Sequence, residues 1–175
     1  MAYISGRVVH DADAHIMETP FWLRDHADPD VRDRIALPRY TNELKQVADI
    51  PGAPSQEEVD AVFATLAERH RSDEFTASED VEVMNRKNFA ALGGFLPEDR
   101  VRALDYLGVD SQLLFNTFHN RLLRDWEHSG DLDLAYGAAR AHNRGMVEFC
   151  AADPRLLPTC YVPLADFERA AAMAG

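Results

Sequence analysis

Cysteine is almost missing from this chain: two residues, Cys150 and Cys160, serve all 175 positions. Neither has a second thiol or a histidine at the short spacing of a zinc knuckle. Both sit among apolar neighbours and read as buried small hydrophobes. Long hydrophobic runs are missing too, since no segment approaches the roughly 18 apolar residues of a membrane span. The opening MAYISGRVVHDADAH lacks the basic-then-apolar order of a secretory leader. These absences predict a cytoplasmic protein without a membrane partner. Positive charge is scarce, 18 Lys and Arg against 30 Asp and Glu, for a formal net charge of −12. Such a field repels phosphate backbones and anionic lipid, which argues against a nucleic-acid partner. The acids are interspersed with bases, as on a solvated surface rather than an acidic tail. Internal repeats and low-complexity tracts are also lacking.

What remains is enough for one domain with a real core. From Ile4 to His15 the chain alternates as a strand, and period 2 sends Val9, Asp11, Asp13 and His15 to one face. From Phe21 to Phe95 a helical excursion with Pro and Gly punctuation follows, notably DIPGAPS at Asp49 to Ser55. Ser55 and Glu58 have capping-box spacing, and Val59, Val62, Phe63 and Leu66 share a stripe, predicting a helix over Ser55 to Arg71. Ser78 is a second start signal. Pro97 opens a helix carrying Val101, Leu104 and Leu107, and Gly108 stops it. VDSQLLFN then reads as a strand. A helix follows from Asp131 to Ala152 with Leu134, Ala138, Met146, Val147 and Phe149 on its apolar side. LLPTCYVPL, Leu156 to Leu164, reads as a third strand, after which Asp166 caps a helix. Strands alternating with helices predict the α/β class and a parallel sheet.

Chemistry concentrates in DADAHIMETP. Residues at i and i+2 of one strand stand about 7 Å apart and point the same way, so a carboxylate and an imidazole there can converge on one cation. Oxygen plus imidazole nitrogen suits zinc, manganese or iron(II). The same run also suits a turn or a hydrogen-bonded strand end. NTFHN follows the second strand, and in the barrel implied by the family resemblance given next it falls on the face where active sites are built, which makes Asn116 and His119 candidates for substrate contact. His26, His70, His128 and His142 read as surface or capping histidines.

DADAHIMETP, RVRALDYLGVDSQLLFN, AARAHNRGMVEFCAADPRLLPTCYVPLAD and FERAAAMAG, taken together, resemble the amidohydrolase-related family of metal-dependent hydrolases and decarboxylases that includes aminocarboxymuconate-semialdehyde decarboxylase. The resemblance implies the N-terminal part of a (β/α)8 TIM barrel with a long helical insertion, residues 21–95, after the first strand. It implies Asp13 and His15 as metal ligands, where many members carry His-x-His, and Asp11 as a structural group behind them. The implied cofactor is a divalent metal ion, zinc first and manganese second, since the acidic first ligand departs from the commoner pattern. Remaining ligands would come from later strands, beyond Gly175, leaving the C-terminal part of the barrel absent from this chain. The implied activity is hydrolysis of a small-molecule substrate by a metal-activated water, with non-oxidative decarboxylation as the alternative. An intact protein of this kind admits a homo-oligomer. From a different class comes a catalytically silent fragment or binding module, because three strands cannot close an eight-stranded barrel and an open sheet edge invites aggregation.

Overall fold

The computed structural model describes residues 2–38 and 55–175. It is a mixed α/β fold around a small, open, parallel sheet in the order β1-β2-β3. The strands are β1 (His10–His15), β2 (Ser111–Phe115) and β3 (Leu156–Pro158). Helices α1 (Trp22–Asp25), α2 (Pro29–Arg32), α3 (Gln56–His70), α4 (Asp73–Glu82) and α5 (Pro97–Leu107) lie between β1 and β2. Helices α6 (Asn120–Glu127) and α7 (Leu132–Cys150) separate β2 from β3, and α8 (Phe167–Ala174) follows. Among the described residues no helix is long and apolar enough to cross a membrane.

The main core lies between the sheet and helices α5 and α7, where Ala14, Leu114 and Leu156 meet Leu104, Met146 and Phe149. Leu114, fully buried on β2, the middle strand of the sheet, contributes about 2 kcal/mol by the usual yield for a buried aliphatic side chain. A second cluster, Phe21, Val59, Phe63, Leu66 and Phe89, belongs to the insertion. It packs against Met17 and Phe118, which follow the C-terminal ends of β1 and β2, so the insertion sits beside that end of the sheet.

Local chemistry explains the helix limits. The Ser55 hydroxyl accepts from the Glu58 amide while the Glu58 carboxylate accepts from the Ser55 amide, closing the expected capping box on α3. Pro97 opens α5, and Gly108, at φ 74°, supplies the left-handed turn that ends it. Along α7, Ala138, Ala141 and Gly145 let α1 come close; a Cβ at Gly145 would stand 2.5 Å from Trp22 Cζ2.

Several expectations are corrected. β1 begins at His10 rather than Ile4, because the Tyr3 and Ile4 amides donate to the Tyr106 and Leu107 carbonyls and so satisfy the end of α5 instead of extending the sheet. The helix expected to start at Ser78 starts after Ser72, whose hydroxyl accepts from the Phe75 amide; Ser78 lies inside it and donates to the Phe75 carbonyl. β3 stops at Pro158, which has no N–H to donate; Thr159 still bonds to Leu114, and beyond it the Asn143 side chain holds Tyr161 through both main-chain groups. Helix α6 was not anticipated, and its N-cap His119 makes no side-chain capping bond that would mark the start. Val147 faces solvent, as does Cys160, whereas Cys150 is buried as expected. His70 and His142 are buried, not superficial. Of DIPGAPS, only Ser55 lies within the described residues.

Candidate metal site at the end of the first strand

The expected common face of Asp11, Asp13 and His15 is broken by an irregularity in β1. Asp11 pairs with Gln112 and Ala14 with Leu114, so three steps on β1 match two on β2. One extra residue reverses the side-chain alternation between these positions. Asp11 therefore stays with Gln112 on the side that α5 covers: its Oδ2 accepts from Gln112 Nε2 at 3.0 Å, and Gln112 Oε1 accepts from Arg100 Nε at 2.8 Å. Its other oxygen accepts from the Asp13 amide at 3.0 Å and holds the bulge. Burial lowers the pKa of Arg100 to about 10 even with the Asp11 charge nearby, so this link bridges a charged pair that does not touch.

Asp13 and His15 do come together. Asp13 is exposed, His15 is half-buried, and Asp13 Oδ1 stands 3.5 Å from His15 Nε2. The other imidazole nitrogen, Nδ1, faces the Asn116 carbonyl at 3.0 Å and the Thr117 hydroxyl at 3.3 Å. That hydroxyl donates to the Ile16 carbonyl at 2.7 Å and so has no hydrogen left for the ring. Both neighbours of Nδ1 are acceptors, which assigns a proton to Nδ1 and, in the neutral ring, the lone pair to Nε2. The Phe115 ring, 5.7 Å away, flanks the imidazole.

This arrangement fits a cation. Two donors about 2.1 Å from a tetrahedral zinc stand about 3.4 Å apart, close to the 3.5 Å observed. A lone pair on Nε2 with Nδ1–H bonded to a backbone carbonyl is the orientation a metal-binding histidine needs. Among the described residues no group of three or more His, Cys, Asp or Glu side chains is placed to hold a metal.

Beneath His15 lies a buried polar layer. Glu18 Oε2 accepts from the Thr117 and Phe118 amides at 2.9 and 3.0 Å, and Oε1 from the His119 amide and Nδ1 at 3.3 and 3.2 Å. Burial acts to raise the Glu18 pKa, but the hydrogen bond and charge of His119, with the backbone amides, outweigh it and hold the carboxyl below its usual range. Trp22 stacks on His119, with ring centres 6.1 Å apart, and meets His142 edge-on at 6.0 Å. Burial pushes His142 down to about 4.

Asn116 and His119, the candidates for substrate contact, are 4 % and 0 % exposed, and Asn116 Nδ2 and His119 Nε2 are buried without a hydrogen-bond partner among the described residues. Sequence reasoning gave no role to Glu18, although its Glu-x-Pro is part of the quoted motif, or to Thr117. The Glu of METP, three residues after His15, was the available signal.

No family model, curated protein or solved structure matches the chain.

Proposed function

We propose that the chain forms the opening strands of a metal-dependent (β/α)8 barrel hydrolase of the amidohydrolase-related kind, acting on a small organic molecule, with Asp13 and His15 as two ligands of a divalent cation. Zinc is the first choice and manganese the second, from the pairing of one carboxylate with one imidazole. The observation that carries this reading is the meeting of Asp13 Oδ1 and the Nε2 lone pair of His15 at 3.5 Å. Two acceptors facing each other so closely repel unless a proton or a cation lies between them. Support comes also from the sheet: the pair sits at the C-terminal end of a parallel strand, where barrel enzymes build their sites.

When bound, the cation supplies Lewis acidity and a water nucleophilic near neutral pH. Asp13 offsets part of its charge, and its exposure leaves the approach open. His15 is held in a single tautomer by Asn116 and Thr117, so its donor atom needs no reorientation. Asp11 keeps the bulge that turns Asp13 toward His15 rather than toward α5. The proposed barrel takes its further ligands from strands other than the three seen among the described residues.

Titration calorimetry with Zn²⁺ tests the pair. The wild-type chain should give a saturable one-site isotherm that the double variant Asp13→Ala, His15→Ala loses. Identical isotherms from both proteins would end the assignment and leave a plain imidazolium–carboxylate ion pair.

A further inference from the structure

The carboxylate of Glu18 is fully buried, three residues after His15, and has no place in the proposed chemistry. Four hydrogen bonds to it come from three successive main-chain amides and one imidazole in residues 117–119, the turn between β2 and α6. A carboxylate facing a row of amide donors fixes the turn as an anion fixes a backbone nest. The turn in its place presents two acceptors to His15 Nδ1, the Asn116 carbonyl and the Thr117 hydroxyl, and that hydroxyl is itself oriented by the Ile16 carbonyl. The Asn116 carbonyl is further fixed by the Asn120 side chain.

We propose that Glu18 is a positioning residue for His15: by clamping the Thr117–His119 amides it holds the two acceptors that keep the proton on Nδ1 and direct the Nε2 lone pair at Asp13. Its benefit to a cation rests on the metal site proposed above; its action on the imidazole does not. A group that orients a metal ligand in this way typically changes cation affinity by about 10- to 100-fold.

Nitrogen-15 NMR of the His15 ring at a pH where it is neutral reads the tautomer directly, without metal. The wild-type ring should show Nδ1 protonated in a single form. In Glu18→Gln the side chain turns an NH₂ toward amide donors where an oxygen accepted, so the turn loosens and His15 should populate both tautomers. Leu92→Ala, a cavity variant in the small cluster with Phe75 and Ala103, should keep the wild-type pattern. Two results overturn the proposal: an unchanged single tautomer in folded Glu18→Gln, or the same mixing in Leu92→Ala. Should Glu18→Gln fail to fold, amide exchange in the wild-type chain decides. Thr117, Phe118 and His119 must be as protected as β2, and exchange at the rate of an unstructured peptide refutes the clamp. Adding Zn²⁺ to the wild type separates the two readings. A His15 Nε2 signal that does not move with Zn²⁺ removes the cation assignment, while a single Nδ1–H tautomer lost in Glu18→Gln still upholds the positioning role.

Discussion

Acidification should destabilise the fold through His142 before the Glu18 carboxyl titrates. Its ring is 2 % exposed, with Trp22 against one edge and the Glu18–His119 pair nearby. Burial, opposed by the Glu18 charge and a Thr159 backbone bond and helped by His119, lowers its pKa from 6.5 to about 4. Below 6.5 the unfolded chain therefore binds a proton that the folded chain refuses, so stability falls as pH falls, until both states are protonated below about 4. The full loss is about 3 kcal/mol at 1.36 kcal/mol per pH unit, and about 2 kcal/mol of it is complete by about pH 5. The lowered Glu18 carboxyl loses stability in the same direction, but its contribution begins only near the ordinary Glu value of 4.5. Urea unfolding at about pH 8, 6.5 and 5 measures the effect. His142→Gln removes the titration, so the variant should lose about 2 kcal/mol less than the wild type across this interval. Equal losses in the two proteins would refute the claim that a neutral, desolvated His142 carries the pH dependence.

Two further outcomes follow from packing and capping. Gly145→Ala adds a methyl that meets Trp22 Cζ2 at 2.5 Å and neighbouring ring atoms at 2.8 and 3.0 Å. Overpacking of about 1–3 kcal/mol should outweigh the helix-propensity gain of at most about 1 kcal/mol, so thermal melting should show a lower midpoint; a higher one would mean the indole moves freely. Ser55→Ala removes the two Ser55–Glu58 hydrogen bonds that use the hydroxyl and should cost about 1 kcal/mol in urea unfolding, with no change at all counting against the cap.

The helical part of the fold was legible because its signals are local. Ser55 with Glu58, Pro97 with Gly108, and Asp166 each act within a few residues of themselves, and each marks a helix end in the structure. The strand that bears the candidate site was legible only in part. Strict alternation placed Asp11 beside Asp13 and His15, whereas register is set by the partner, and the extra residue opposite Gln112 to Leu114 appears only once β2 is paired. The meeting of Asp13 and His15 survived because both lie beyond Asp11, and Asp11 became the group that holds the bulge. Buried histidines were missed for a related reason. His70 meets Asp99 and His119 meets Glu18 across 29 and 101 residues, and a satisfied polar group looks in sequence like any exposed one.

The sheet order carries one more consequence. Among the described residues β1 and β3 each have a neighbour on one side only, and the strands run parallel, so these two borders have the same polarity. The β3 border of one molecule can thus accept the β1 border of another head to tail, and every addition regenerates the border it used. Such a contact relates unlike surfaces, and it either curls into a ring or grows without limit. Any strand that covers one of these borders would therefore limit the size of such an assembly.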